Sequence, residues 1–165
     1  MHFFRQRQGQ SLLELAASLM VVVPVILVLI DCAFLALGAG TNDAVCRDAA
    51  RAAAGGPPGL LAAGSRTVGT GAPPNKRAVG IIKRVYQSNL PLKLRESAEV
   101  QEKIESPVPA APHGGPVIGE VAVETTLDVY PPFLVRALVG SQSFAFKSRH
   151  SYPYTYVMPN AEGGP

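Results

Sequence analysis

The sequence predicts an α+β chain in which a long N-terminal helix crosses a membrane and a small antiparallel β-sheet domain follows it. Three observations lead there. No residue is charged from Leu15 to Ile30, and the apolar stretch runs from Leu12 to Leu37 with Glu14 and Asp31 as its only charged residues. An Ala-rich, helix-favouring run continues to Ala54 and stops at Gly55-Gly56-Pro57-Pro58. Beyond it, Val117–Tyr130 and Ser143–Tyr152 alternate apolar and polar residues, the pattern of half-buried strands.

Taken in order, residues 1–9 form a short polar run with Arg5 and Arg7, which favours retention of the N-terminus on the cytoplasmic side. Arg47 and Arg51 oppose this from ~10 or more residues beyond the apolar stretch, too far to reverse it. The apolar stretch exceeds the ~20 residues needed to span a bilayer. It also exceeds the ~7–15 residues of a secretory signal core, although Ala36-Leu37-Gly38 would suit a signal peptidase. A plain anchor has no use for Glu14 so close to its start, since an intramembrane carboxylate costs ~2.5–3.5 kcal/mol at the centre and normally has a partner. Ser11-x-x-Glu14 also reads as a capping box for a helix starting there. A helix over Gln10–Ala54 would be ~68 Å long, with a kink expected at Pro24 and a softer point at Gly38 and Gly40. Asp43 near the start of its Ala-rich half and Arg51 near the end suit the helix dipole. Cys32 and Cys46 stand ~21 Å apart on such a helix, too far for a disulfide.

Residues 55–75 read as a Gly/Pro-rich linker, and Lys76–Leu90 as an amphipathic helix with Val79, Ile82, Val85, Tyr86 and Leu90 on one face and Lys83 and Arg84 solvated. Leu92–Leu94 and Val100–Ile104 suit short strands, Pro107–Pro116 a loop, and Phe133–Gly140 a helical turn. The second long strand should return antiparallel to the first, giving a sheet for the upper half of the helix to pack on. Tyr130, Tyr152, Tyr154 and Tyr156 fit a sheet edge packed with prolines better than a sugar-binding surface.

Several function classes have no support. The chain has 15 Lys and Arg against 12 acids, and losing Arg5 and Arg7 would leave 13, a balance without the footprint of a nucleic-acid binder. His2, His113 and His150 are isolated, Gly69-x-Gly71 lacks the rest of a dinucleotide fingerprint, and no nucleophile or paired-acid motif assigns a catalytic residue, so no metal or cofactor is expected.

The segment Gly9-Gln10-Ser11-Leu12-Leu13-Glu14 resembles the type IV prepilin signature, in which a membrane peptidase cuts after a glycine and a glutamate stands fifth in the mature chain. With Asn42–Ala54, rich in Ala and Arg, and with Asp31, the chain more narrowly resembles TadE-like minor pilins or pseudopilins of the tight-adherence (Tad) pilus system. The resemblance implies a pilin-like fold and a structural, non-enzymatic subunit. It implies processing between Gly9 and Gln10, and Glu14 pairing with the new amine of a neighbouring subunit. It places a leader at 1–9, a membrane and assembly helix at 10–54, the linker at 55–75 and an extracytoplasmic domain at 76–165. The implied partners are other pilin subunits, prepilin peptidase, the inner-membrane assembly platform and the lipid bilayer. The implied location is the inner membrane, single-pass, with the C-terminal domain in the periplasm or in a pilus. That family prefers a bulky apolar first residue, whereas Gln10 stands here. A membrane-anchored periplasmic binding or scaffold protein unrelated to pili is the alternative.

Overall fold

A computed structural model describes residues 3–86, 92–94, 98–110, 113–140 and 142–160, the side chains of 3–10, Leu92, Leu94 and Val139 excepted. Its first element is a helix of 52 residues, α1 (Phe3–Ala54), ~78 Å long at the usual rise. It continues through Pro24, Gly38 and Gly40 without a break in assignment. At the far end Gly55-Gly56-Pro57 stops it, and the orphan carbonyls of its last turn find a donor in another element. Arg77 gives Nε–H to Ala52 O at 3.0 Å and Nη2 to Ala53 O at 2.6 Å and Pro57 O at 3.0 Å.

Arg77 belongs to α2 (Pro73–Tyr86), which begins earlier than the expected Lys76 because prolines fit a first helical turn. Of the expected stripe, Ile82 is buried and Tyr86 packs against the core, whereas Val79 is half-buried and Val85 exposed, because Ala78 in place of Val79 completes the inner face. Leu90, expected on that face, lies outside the described residues.

Among the described residues five strands form one sheet, β1 (Gly64–Thr67), β2 (Leu92–Leu94), β3 (Glu99–Ile104), β4 (Gly115–Val129) and β5 (Phe144–Met158), with a short helix α3 (Leu134–Val139) between the last two. The long strand β4 is central. One side pairs along its whole length with β5, from Gly115↔Met158 to Val129↔Phe144. The other side pairs with β3 over 119–124 and with β2 over 127–129, and β1 pairs with the far edge of β3. Every pairing is antiparallel, as expected for the two long strands. The chain is therefore α+β, a long apolar N-terminal helix with a small antiparallel sheet.

The core lies between the upper half of α1, α2 and one face of the sheet. Val45, Cys46, Ala49, Ala50 and Ala53, at the three- and four-residue spacing of one helix face, meet Val100, Val121 and Val123. Alanines let the helix axis approach the sheet closely. On β4, positions 117, 119, 121, 123, 125, 127 and 129 are all buried, the period of two that pins strand register.

Two expectations are revised. Residues 55–75 are not a linker throughout, because Gly64–Thr67 is a strand and α2 begins at Pro73. Gly-Ser-Arg-Thr has no apolar alternation, and this edge strand is held by its ladder and by Arg66 instead. Nor does β5 stop at Tyr152. It runs on through Pro153, which an edge strand tolerates because one row of its backbone groups needs no strand partner.

Candidate functional site

The candidate site is α1 itself, because one helix contributes two different surfaces. From Ser11 to Ile30 its side chains are exposed apart from partial cover at Pro24, Leu27 and Val28, with Leu13 at 74% and Met20 at 81%. The segment is long and apolar enough to cross a membrane. Bare side chains of this kind are unfavourable in water by roughly 25 cal/mol per Å², and a bilayer removes that cost.

Within the apolar stretch the two carboxylates are treated differently. Asp31 is fully buried, and its oxygens accept the backbone N–H of Phe133 at 2.9 Å and of Val135 at 2.8 Å. Glu14 lies on the exposed segment, and among the described residues its carboxylate has no hydrogen bond or ion pair; its backbone carbonyl accepts Ser18 Oγ–H at 2.8 Å. Gly9 and Gln10 fall in the helical span with their side chains outside the described residues. Because the helix begins at Phe3, Ser11 is well inside it and does not cap its start, which removes the capping-box reading for the intact chain.

Above Asp31, polar ties fix the helix on the sheet about once per turn. Asn42 is buried and donates Nδ2–H to Phe146 O at 3.0 Å, while its Oδ1 accepts Thr125 Oγ1–H at 2.9 Å and Tyr86 O–H at 3.1 Å. One side chain thus joins α1 to β5, β4 and α2. Asp43 meets His150 at 2.8 Å and accepts Ser148 Oγ–H at 2.9 Å. The His150 hydrogen bond first, then that of Ser148, holds the Asp43 carboxyl below its usual range. Cys46, free and fully buried, directs its thiol at Val123 O (3.1 Å) and Ser148 O (3.4 Å). Arg51 donates to the Tyr152 hydroxyl at 3.1 Å and lies 5.4 Å from that ring's centroid. Burial raises the Tyr86 phenol to about 12, with a smaller contribution from Cys46.

A second buried polar centre sits at Glu102 on β3. Its carboxylate accepts Gly59 N–H at 3.1 and 3.0 Å, Tyr154 O–H at 2.9 Å and Arg66 Nη2 at 2.9 Å. Arg66 also donates to Leu60 O and, at 3.0 Å, to Ala62 O, so the 57–63 loop is wrapped around one ion pair. Burial first, then the hydrogen bond to Glu102, raises the Tyr154 phenol. Gly119 is needed beneath that ring, since a Cβ there would stand 2.7 Å from Lys103 O and 2.9 Å from the Tyr154 ring.

The sheet's outer face carries an open groove of about 330 Å³ whose lining includes Ser65, Gln101, Lys103, Glu120, Arg149 and Ser151. Among the described residues no three His, Cys, Asp or Glu side chains are grouped to hold a metal.

Comparison with protein-family models, with curated proteins and with solved structures finds no match for this chain. The sequence patterns alone give no structural task to Asp31, Asn42 or Glu102. The last two each carried a signal: Asn42 is on the helix face of Val45, Cys46 and Ala49, and Glu102 lies between Val100 and Ile104 on the inner face of β3.

Proposed function

We propose that the chain is a pilin-like structural subunit, a minor pilin or pseudopilin of the TadE-like kind, that is inserted in the inner membrane and built into a Tad-type pilus or secretion assembly. The observation that supports this best is the double use of α1: its first half is bare apolar surface and its second half is the core of the sheet domain. A subunit of this form joins neighbours by bundling its apolar helices and displays its head on the outside. Processing falls between Gly9 and Gln10, after which Gln10 carries a free amine and Glu14 stands fifth. Glu14 then pairs with the amine of an adjacent subunit, and the low dielectric of a helix bundle makes this pair selective for one stagger between helices. Arg5 and Arg7 keep the N-terminus cytoplasmic, with the sheet domain on the far side of the membrane.

The test is the intact mass of the protein expressed with a prepilin peptidase. Loss of residues 1–9 is expected; a chain starting near Gly38 would establish a cleaved secretory signal, and an intact N-terminus would favour the plain anchored binding or scaffold protein. In the same host, Glu14→Gln is expected to be cleaved normally yet to recover fewer partner subunits from detergent-solubilised membranes. Equal recovery would remove the assembly role of Glu14.

A further inference from the structure

The geometry points to a second membrane contact: the Pro131–Gly140 segment is a foot that rests its apolar side chains in the outer leaflet beside α1, with Asp31 as its tether. This rests on the reading that α1 is membrane-inserted, and it adds a contact made by the head. Three observations carry it. The first is depth. The ~20 residues that cross a hydrocarbon core, counted from Leu12, end at Asp31. Asp31 binds the backbone of Phe133 and Val135, so the segment is held at the level where the lipid tails give way to headgroups.

The second is direction. Along α1 the ties to β5 climb from Asn42 with Phe146, through Cys46 with Ser148, to Arg51 with Tyr152. The β4–β5 connection is therefore the end of the head closest to the bilayer, and Met158 lies at the opposite end. The third is composition. Phe133 is 46% exposed and Leu138 76% exposed, with the exposed Arg136 between them. Apolar side chains flanking a cation suit an interface where tails and anionic headgroups meet. Lys93, 5.7 Å from the Tyr130 ring centroid, adds a second cation at this end through the β2–β4 pairing. The foot packs beside α1, so one lipid phase would cover the exposed apolar side chains of both. Asp31 suits this depth because both its oxygens are occupied by backbone donors, which a bare carboxylate at the tail boundary would lack.

The chain contains no Trp, so a single introduced Trp is an unambiguous depth probe. Full-length Leu138→Trp, Met20→Trp and Val157→Trp are reconstituted in phosphatidylethanolamine–phosphatidylglycerol vesicles whose acyl chains are brominated either near the headgroup or near the methyl end. Leu138→Trp should lose emission to the shallow bromines and little to the deep ones. Met20→Trp should lose most to the deep ones, and Val157→Trp should lose emission to neither. If Leu138→Trp matches Val157→Trp while Met20→Trp is quenched, α1 is inserted and the foot is refuted; a blue-shifted but unquenched Leu138→Trp would mean that a protein neighbour covers it instead. If Met20→Trp is unquenched, membrane insertion and the foot fall together. Adding Asp31→Ala should abolish quenching at Leu138→Trp and leave Met20→Trp unchanged, whereas persistence of the shallow quenching would refute the tether.

Discussion

Asn42 shows how one polar side chain decides where a mostly apolar helix sits. Its amide satisfies groups on α2, β4 and β5 at once, and sliding α1 by a residue would leave all of them without partners in the core. The cost of a buried unsatisfied group is about 1–3 kcal/mol, larger than the difference between burying one alanine or another. Asn42→Leu keeps the branching and heavy-atom count of the side chain, strands the Thr125 and Tyr86 hydroxyls and the Phe146 carbonyl, and should lower stability by about 2–4 kcal/mol. Thr125→Val, which removes a donor along with its need, should cost about 1 kcal/mol. Thermal melts of the full chain in detergent compare the two, and equal losses would show that Asn42 fills space without setting register.

At the scale of elements, β1 and the 57–63 loop owe their place to Glu102. The loop exposes Leu60 and Leu61, at 61% and 44%, and has little apolar anchorage of its own. Glu102→Gln removes the charge opposite Arg66 and turns an amide N–H₂ toward the Gly59 N–H. Because Arg66 is 24% exposed and partly screened by water, the loss should be about 2 kcal/mol, below the ~3–5 kcal/mol of breaking a fully buried pair. Limited proteolysis should then cut within 57–63 well before the rest of the head, and an unchanged pattern would exclude the loop-pinning role. The same elements mark what could be read beforehand. The long strand β4 was legible because one buried face forces apolar residues onto alternate positions, and α3 was legible between Pro131-Pro132 and Gly140. The strand β1 was not, since Gly-Ser-Arg-Thr pairs through its backbone and an arginine whose partner is distant in sequence. The continuation of β5 was obscured by Pro153, which is compatible with a strand only once the strand is known to be an edge. At the candidate site, the apolar segment and its two acids were plain in the sequence. Their different fates were not, because Asp31 is satisfied by backbone 102 and 104 positions away.

At the scale of the whole molecule, the main core of the head is closed by the upper half of α1. Removing α1 would uncover Ala78, Ile82, Val100, Val121 and Val123 together, a loss comparable with the 5–15 kcal/mol that holds an ordinary domain folded. A chain beginning at Gly40 keeps Asn42, Cys46 and Arg51 and should give a cooperative melt in water. One beginning at Gly55 should not, and a cooperative transition from it would show that the sheet domain is self-sufficient. This arrangement also decides how the molecule bears tension. The upper part of α1 and β5 run side by side in the same direction, tied at Asn42, Cys46 and Arg51, and β5 is joined to β4 by a ladder whose bonds lie across the strands. A pull along the axis of α1 loads these ties simultaneously as shear, so none of them can be peeled away first. Force entering at the lower end of α1 is thereby passed to the head by a strut instead of a hinge.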